Sequence, residues 1–332
     1  MKKVLFATTA LVFSAGIAAA EVSVGGDGRM GVVYNGDDWN FSSRIRVSFT
    51  ASGTTDGGLE FGGSVRADQA IAATRGTSAS VYISGAFGKV SMGDVVGAPE
   101  ALFGDFYEVG YTDLSSAGGS NDIGYLTADN GGNTDCTTGG TFCGNTGPNL
   151  LYTGTFGAFS VAASVSDGKL DAVTVGGLGV PVSVSAPTTT TSYTQQYGLA
   201  AAYTFGNYTV GMGYEYIDGK PLTAADYEID MISLAGVAQF GNTSVKGVIA
   251  HRGKDADINW YGLGASSVFG ATTVGGYIQK LDDKSAANAD VTWYGLGAEY
   301  DLGGGASIKG GIADSDVSGS DAVADLGVKF SF

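Results

Sequence analysis

Four arginines lie early in the chain at spacings that put them on one side of neighbouring extended segments. Arg29 alternates with Val22, Val24, Met30, Val32 and Tyr34, Arg44 and Arg46 with Phe41, Ile45, Val47 and Phe49, and Arg66 with Leu59, Phe61 and Val65. In a strand, successive side chains point to opposite faces, so this parity separates the cations from an apolar face. A guanidinium is always charged, and four on one surface repel unless anions oppose them. The candidate anions come next in sequence. Asp94, Glu100, Asp105, Glu108 and Asp113 are interleaved with Phe103, Phe106, Tyr107 and Tyr111. Facing sets of fixed charge do no covalent chemistry. They make a field across the water between them that sorts solutes by size, charge and dipole. Local pairing on one wall, such as Arg66 with Glu60, is the simpler alternative.

Other chemistry is sparse. His251 is the single histidine and has no Ser or Asp partner in motif context, so a triad has little support. Cys136 and Cys143 are the two cysteines, and in an exported loop they read as a disulfide closing a small ring. Two cysteines and one distant histidine argue against zinc. Gly26-Asp27-Gly28-Arg29-Met30-Gly31 matches a dinucleotide fingerprint as a string, but no helix follows it, so the glycines read as wall positions.

The elements that must carry these residues are strands. Hairpins near Tyr197, Ile232, Tyr261 and Tyr294 repeat one plan: a strand of about ten residues, a tight turn, a returning strand and a longer polar excursion. The turns fall at Phe205-Gly206, Phe240-Gly241, Phe269-Gly270 and Leu302-Gly303. Alternation predicts strands at 22–34, 38–51, 58–68, 79–86, 89–94, 149–156, 158–167 and 195–205. It predicts more at 207–217, 228–240, 242–251, 258–268, 271–281, 291–301, 305–314 and 322–332. These number sixteen, an even count that closes into an antiparallel barrel with an aqueous lumen, whereas eight strands would be filled by side chains. Short turns on one rim and long connections on the other, including 95–148 and 168–194, fit a membrane barrel. Phe87, Phe156, Phe205, Phe240 and Phe269 then form one interfacial belt, and Trp260-Tyr261 with Trp293-Tyr294 the other. An arginine on the lipid face at mid-bilayer costs roughly 2–4 kcal/mol, so Arg29, Arg44, Arg46 and Arg66 are expected in the lumen, with Asp27 and Glu60. Aromatics in the 95–148 interval are expected to pack on the inner wall while its carboxylates face the channel.

The expected organisation is a cleaved leader over 1–20 and a barrel over 21–332. Lys2 and Lys3, the apolar run from Val4 to Ile17 and Ala18-Ala19-Ala20 read as a secretory signal. Its removal takes two lysines and no acid from a chain of net charge −16, which disfavours nucleic acid as a partner. With 44% hydrophobic and only 15% charged residues the chain is not a disordered one. After the leader there is no run long and apolar enough for a membrane helix, while a closed barrel satisfies its backbone in lipid.

Several stretches carry a family resemblance. They are Gly28 to Val32, Tyr34 to Arg44, Ser52 to Asp56 with Gly58 to Gly62, Glu100 to Asp105, Tyr107 to Leu114, and Leu326 to Phe330. Across most of the mature chain the sequence resembles the general outer-membrane porins of purple photosynthetic bacteria and their alphaproteobacterial relatives, the Rhodobacter type. The resemblance implies a homotrimer of 16-stranded barrels in outer-membrane lipid, each with a third loop folded inward to narrow a channel for small hydrophilic solutes. It implies that Arg29, Arg44, Arg46 and Arg66 match the basic wall, and Glu100, Asp105, Glu108 and Asp113 the acidic loop. Such loops can also hold calcium through carboxylate oxygens. Phe332 ending the last strand resembles the signal read by the barrel assembly machinery. Segment 128–147 departs from the family in length and in its Gly and Asn content. A substrate-specific porin, an outer-membrane barrel enzyme and a plugged structural barrel remain alternatives.

Overall fold

The protein, described here by a computed structural model, is defined over residues 21–68, 78–115, 119–127, 149–166, 193–220, 226–284 and 290–332. The expected leader at 1–20, the Cys136–Cys143 bridge, the whole of 128–148 and most of 168–194 lie outside the described residues.

All sixteen expected strands form. They are β1 (Glu21–Tyr34), β2 (Trp39–Thr54), β3 (Glu60–Asp68), β4 (Ser78–Gly85), β5 (Gly88–Gly93), β6 (Asn149–Phe156), β7 (Phe159–Ser166) and β8 (Tyr193–Phe205). There follow β9 (Tyr208–Lys220), β10 (Tyr227–Phe240), β11 (Thr243–Lys254), β12 (Ile258–Phe269), β13 (Thr272–Asp283), β14 (Val291–Gly303), β15 (Ala306–Ser315) and β16 (Val323–Ser331). Each pairs antiparallel with its sequence neighbours, and β1 pairs with β16 to close the barrel. At that seam Met30 faces Val328 and Val32 faces Leu326. It is extended by two bonds between Gly26 and Phe332, at 2.8 and 3.0 Å.

Period-two alternation organises both surfaces. Phe41, Val22, Leu263, Leu296 and Leu326 stand exposed on the outside, a contiguous apolar belt that only lipid or another apolar surface can cover. The phenylalanines beside the short turns, Phe87, Phe156, Phe205, Phe240 and Phe269, are exposed in the same belt. Gly157, Gly206, Gly241 and Gly270 lead two-residue turns with φ between +58° and +65°, the left-handed conformation that the first position of a type II′ hairpin requires.

The tryptophans correct the second belt. Trp260 and Trp293 are buried on the inner side and stack with centroids 5.6 Å apart, while Tyr261 and Tyr294 are exposed outside. Adjacent strand residues face opposite ways, so only one of each Trp-Tyr pair can meet lipid.

A six-residue helix, α1 (Ala98–Phe103), opens the long connection after β5 and was not anticipated from sequence. Its cues are local: Pro99 in the first turn, Glu100 beside it and Gly104 just past the end at φ +58°. Among the described residues the extensive buried core lies inside the barrel, where this connection packs on the wall.

Candidate functional site

The arginines occupy one patch on β1, β2 and β3. Register places Arg29 opposite Arg44, Arg46 opposite both Asp27 and Asp68, and Arg66 opposite Ser48. Like charges directly across a ladder are unfavourable, and acids on the wall relieve them. Arg44 Nη2 lies 3.2 Å from Asp27 Oδ1. Asp68 bridges two cations, with Arg46 Nε 2.9 Å from Oδ2 and Arg66 Nε 2.9 Å from Oδ1. Arg66 pairs locally with Asp68 and not with Glu60, the partner named in the simpler alternative. Six residues separate Arg66 from Glu60, about 20 Å along a strand, whereas Asp68 is the next residue on the same face. Glu60 Oε2 instead accepts from Ser84 Oγ at 3.3 Å. Four cations against two aspartates leave this patch net positive.

The connection after β5 does fold into the barrel, and it runs out and back along the inner wall. Going out, Ala98 N–H donates to Ser164 Oγ of β7 at 3.0 Å. Lys246 of β11 donates to the carbonyls of Phe103 and Asp105. Glu108 meets Lys309 of β15 at 3.2 Å and Lys329 of β16 at 3.1 Å. At the tip, Thr112 donates from N and Oγ1 to Asp325 Oδ2 of β16 at 2.8 and 2.6 Å, and Arg29 Nη1 donates to Tyr111 O at 3.0 Å. Coming back, Gln279 Nε2 of β13 donates to the carbonyls of Ser120 and Asp122 at 2.8 and 3.0 Å. Arg252 Nη2 of β11 donates to Gly124 O at 2.6 Å. Fully buried Glu215 of β9 accepts from Leu126 N at 3.2 Å, Thr127 N at 2.8 Å and Thr127 Oγ1 at 2.5 Å.

These tethers lie on β7 to β16 and at the seam. Beside them, between β3–β9 and α1, is a polar cavity of about 820 Å³ lined by Glu60, Ser84, Lys89, Thr155, Thr204 and Leu102. Phe103, Phe106 and Tyr111 are buried against the wall, as expected of a loop packed inside.

The five candidate carboxylates have unequal surroundings. Asp94 sits at the root of the loop, its N–H on Ala79 O of β4 at 2.7 Å. Glu100 rides on α1. Asp105 Oδ1 ties the limbs together by accepting from Ile123 N at 2.9 Å. Burial works against the charge on Glu108, but Lys309 and Lys329 outweigh it and hold the carboxyl below its ordinary range. Asp113 has left-handed backbone at φ +64° and presents its side chain to solvent, with protein around its other sides. That partial loss of solvation, then Asp122 and Glu108, push its pKa up to about 6. Asp105, Glu108, Asp113 and Asp122 therefore share one electronegative region, and Glu108 is close enough to act on Arg29. Desolvation followed by Glu299 and Glu108 raises the Tyr107 phenol to about 12. Among the described residues no three or more His, Cys, Asp or Glu side chains come together as a metal-binding group.

The sequence reading did not single out Lys246, Glu215, Gln279, Asp68 or Asp122. Strand parity was the available signal for most of them: each wall residue shares the inward face with neighbours beneath the loop. His251 falls on the opposite, exposed face of β11 from Arg252, with Nδ1 3.0 Å from Asn259 Oδ1.

Comparisons with known proteins agree with this architecture. Residues 7–320 match a family model described as Gram-negative porin. A porin of Rhodobacter capsulatus is 52% identical over 331 residues, covering 94% of this chain and 100% of that protein. A porin of Fuscovulum blasticum is 26% identical over 355 residues, again covering 94% and 100%. A solved porin structure refined at 1.8 Å superposes with a TM-score of 0.77 at 51% identity, over 94% of this chain and 100% of that one.

Proposed function

Because the chain belongs to the Gram-negative porin family, and so forms a channel through the outer membrane, we propose that it sorts small hydrophilic solutes by the field between its arginine patch and its inner loop. The observation that carries this is the asymmetry of the lining. One side holds Arg29, Arg44, Arg46 and Arg66, and the loop facing the same lumen holds Asp105, Glu108, Asp113 and Asp122. Water between them is oriented, and an apolar solute must displace that water without replacing its interactions. Asp94 and Glu100 extend the negative side toward the loop's root.

Passage is passive, and the barrel has no catalytic role. Exposed His251 on the outer face supports this, since it is turned away from the lumen where a solute would pass. The active assembly is a homotrimer. Its contact surface is the concave apolar groove on the outside of β1–β5, lined by Val22, Phe49, Phe61, Val65, Val81 and Met92. Strands β4 and β5 are among the shortest of the barrel, eight and six residues, which suits protein rather than lipid against them. Phe332, at the end of β16, is the residue offered to the assembly machinery.

Reversal potentials in planar bilayers under a salt gradient test the field. Replacing Arg44 and Arg66 together with glutamine is expected to raise the cation-to-anion permeability ratio. An unchanged ratio overturns the assignment.

A further inference from the structure

We propose that a set of inward-facing glycines on the wall determines how far the loop protrudes into the lumen, and hence the calibre of the channel. This rests on the reading that the loop narrows the pore. The loop meets the strands in order around the barrel, and most of its bulky side chains lie over positions with no Cβ. Phe103 covers Gly211 of β9, Phe106 covers Gly262 and Gly264 of β12, and Tyr107 covers Gly275 of β13. Val109 lies over Gly311 of β15, and Tyr111 over Gly327 of β16.

The fit is closer than any side chain would permit. A Cβ at Gly275 would stand 2.4 Å from Tyr107 Cγ, and one at Gly264 2.5 Å from Phe106 Cδ1 and 3.1 Å from its Cγ. Carbon atoms in ordinary contact are about 3.5–4.0 Å apart, so a methyl at either position must displace the ring by about 1 Å. At both positions the nearest atoms belong to the loop side chain rather than to neighbouring strand backbone. The base of the ring is met, so rotation about the side chain does not remove the clash. At Gly262 the nearest atoms are Phe106 Cε2 and Cζ, each 2.6 Å away at the ring's far edge, where a small tilt relieves the contact. The wall lies behind the ring, so displacement goes toward the lumen.

The positioning role yields a graded test on full-length trimers reconstituted in planar bilayers. Gly264→Ala and Gly275→Ala are expected to lower unitary conductance clearly, Gly262→Ala less. Gly236→Ala, on the lipid-facing side of β10 with nothing within 4 Å of an added Cβ, should leave it unchanged. In a Tyr107→Ala background, Gly275→Ala should lose its effect, a non-additivity that general weakening of the barrel does not produce. Equal conductance of Gly264→Ala, Gly275→Ala and Gly236→Ala overturns the proposal. So does a rise in conductance, because the glycines would then only anchor the loop. A further variant separates this from the constriction reading. Excising residues 107–120 is feasible because Phe106 N–H donates to Asn121 O at 3.1 Å where the flanks meet. If excision raises conductance while the glycine variants behave as Gly236→Ala, the glycine proposal alone fails. If excision changes nothing, the loop does not narrow the pore and both fail.

Discussion

Glu215→Ala is the sharpest perturbation of the loop's docking. In the native protein this buried carboxylate accepts from two backbone N–H groups, Leu126 and Thr127, and from the Thr127 hydroxyl, with Arg252 acting on it electrostatically. Alanine removes every acceptor at once. If the returning limb stayed seated, two N–H groups would be buried without partners, at about 1–3 kcal/mol each. Undocking lets water satisfy them, so the seated state loses about 2–6 kcal/mol relative to the open one. At about 1.4 kcal/mol per tenfold, the ratio of seated to open limb falls by roughly 30-fold to 10⁴-fold. Gln279 and Asp105 still hold the limb elsewhere, so the expected record is a channel that flickers to higher conductance rather than one held open. Glu215→Gln keeps one acceptor oxygen and should flicker less. The outward face of β9 is untouched, so heat stability of the assembled protein should stay near native and serves as the control for folding. A quiet Glu215→Ala channel of native conductance would refute the reasoning.

Asp113 supplies a pH dependence. Its raised pKa, about 6, means the folded protein takes up a proton at higher pH than the unfolded chain. Acidification through that point therefore favours the folded form, and the contribution is lost as pH rises through about 6. In the channel, lowering pH from 7 to 5 should reduce the cation-to-anion permeability ratio, and Asp113→Asn should abolish that step; an identical titration in the variant counts against the assignment. Glu108→Gln leaves Lys309 and Lys329 without their shared carboxylate, and the permeability ratio should move toward anions, as reversal potentials would show. Gly241→Val places a β-branched residue at φ +58°, a strain of order 1–3 kcal/mol. The midpoint of denaturant unfolding in detergent should fall accordingly, and an unchanged midpoint argues against the turn geometry.

The barrel was legible because its rule is local. Inward and outward parity can be read from five or six consecutive residues, and Gly in a two-residue turn marks each short rim. The same rule should have assigned the tryptophans: Trp260 and Tyr261 cannot share a face, and the sequence reading treated them as a pair. Pairings within the site were hidden for another reason. Thr112 and Asp325 are 213 residues apart, and Thr127 and Glu215 are 88 apart. Nothing local in a chain encodes which of many inward acids meets which loop segment. Arg66 shows the limit from the other side, since its partner Asp68 stands two residues away while the local alternative weighed was Glu60.

The tip of the loop has a consequence for assembly. Tyr111 and Thr112 touch β16 through Asp325, β1 through Arg29 and β2 through the long contact of Tyr111 Oη with Ser42 O at 3.5 Å. They therefore straddle the one junction that joins the first strand to the last. The tethers on β7 to β15 can form on an open sheet, but those at the tip require both edges to be present. Seating the tip and zipping the first strand to the last should then be one cooperative step. The loop acts as an internal rivet laid over the closing seam, reinforcing from inside a ladder that β1 and β16 already form with each other.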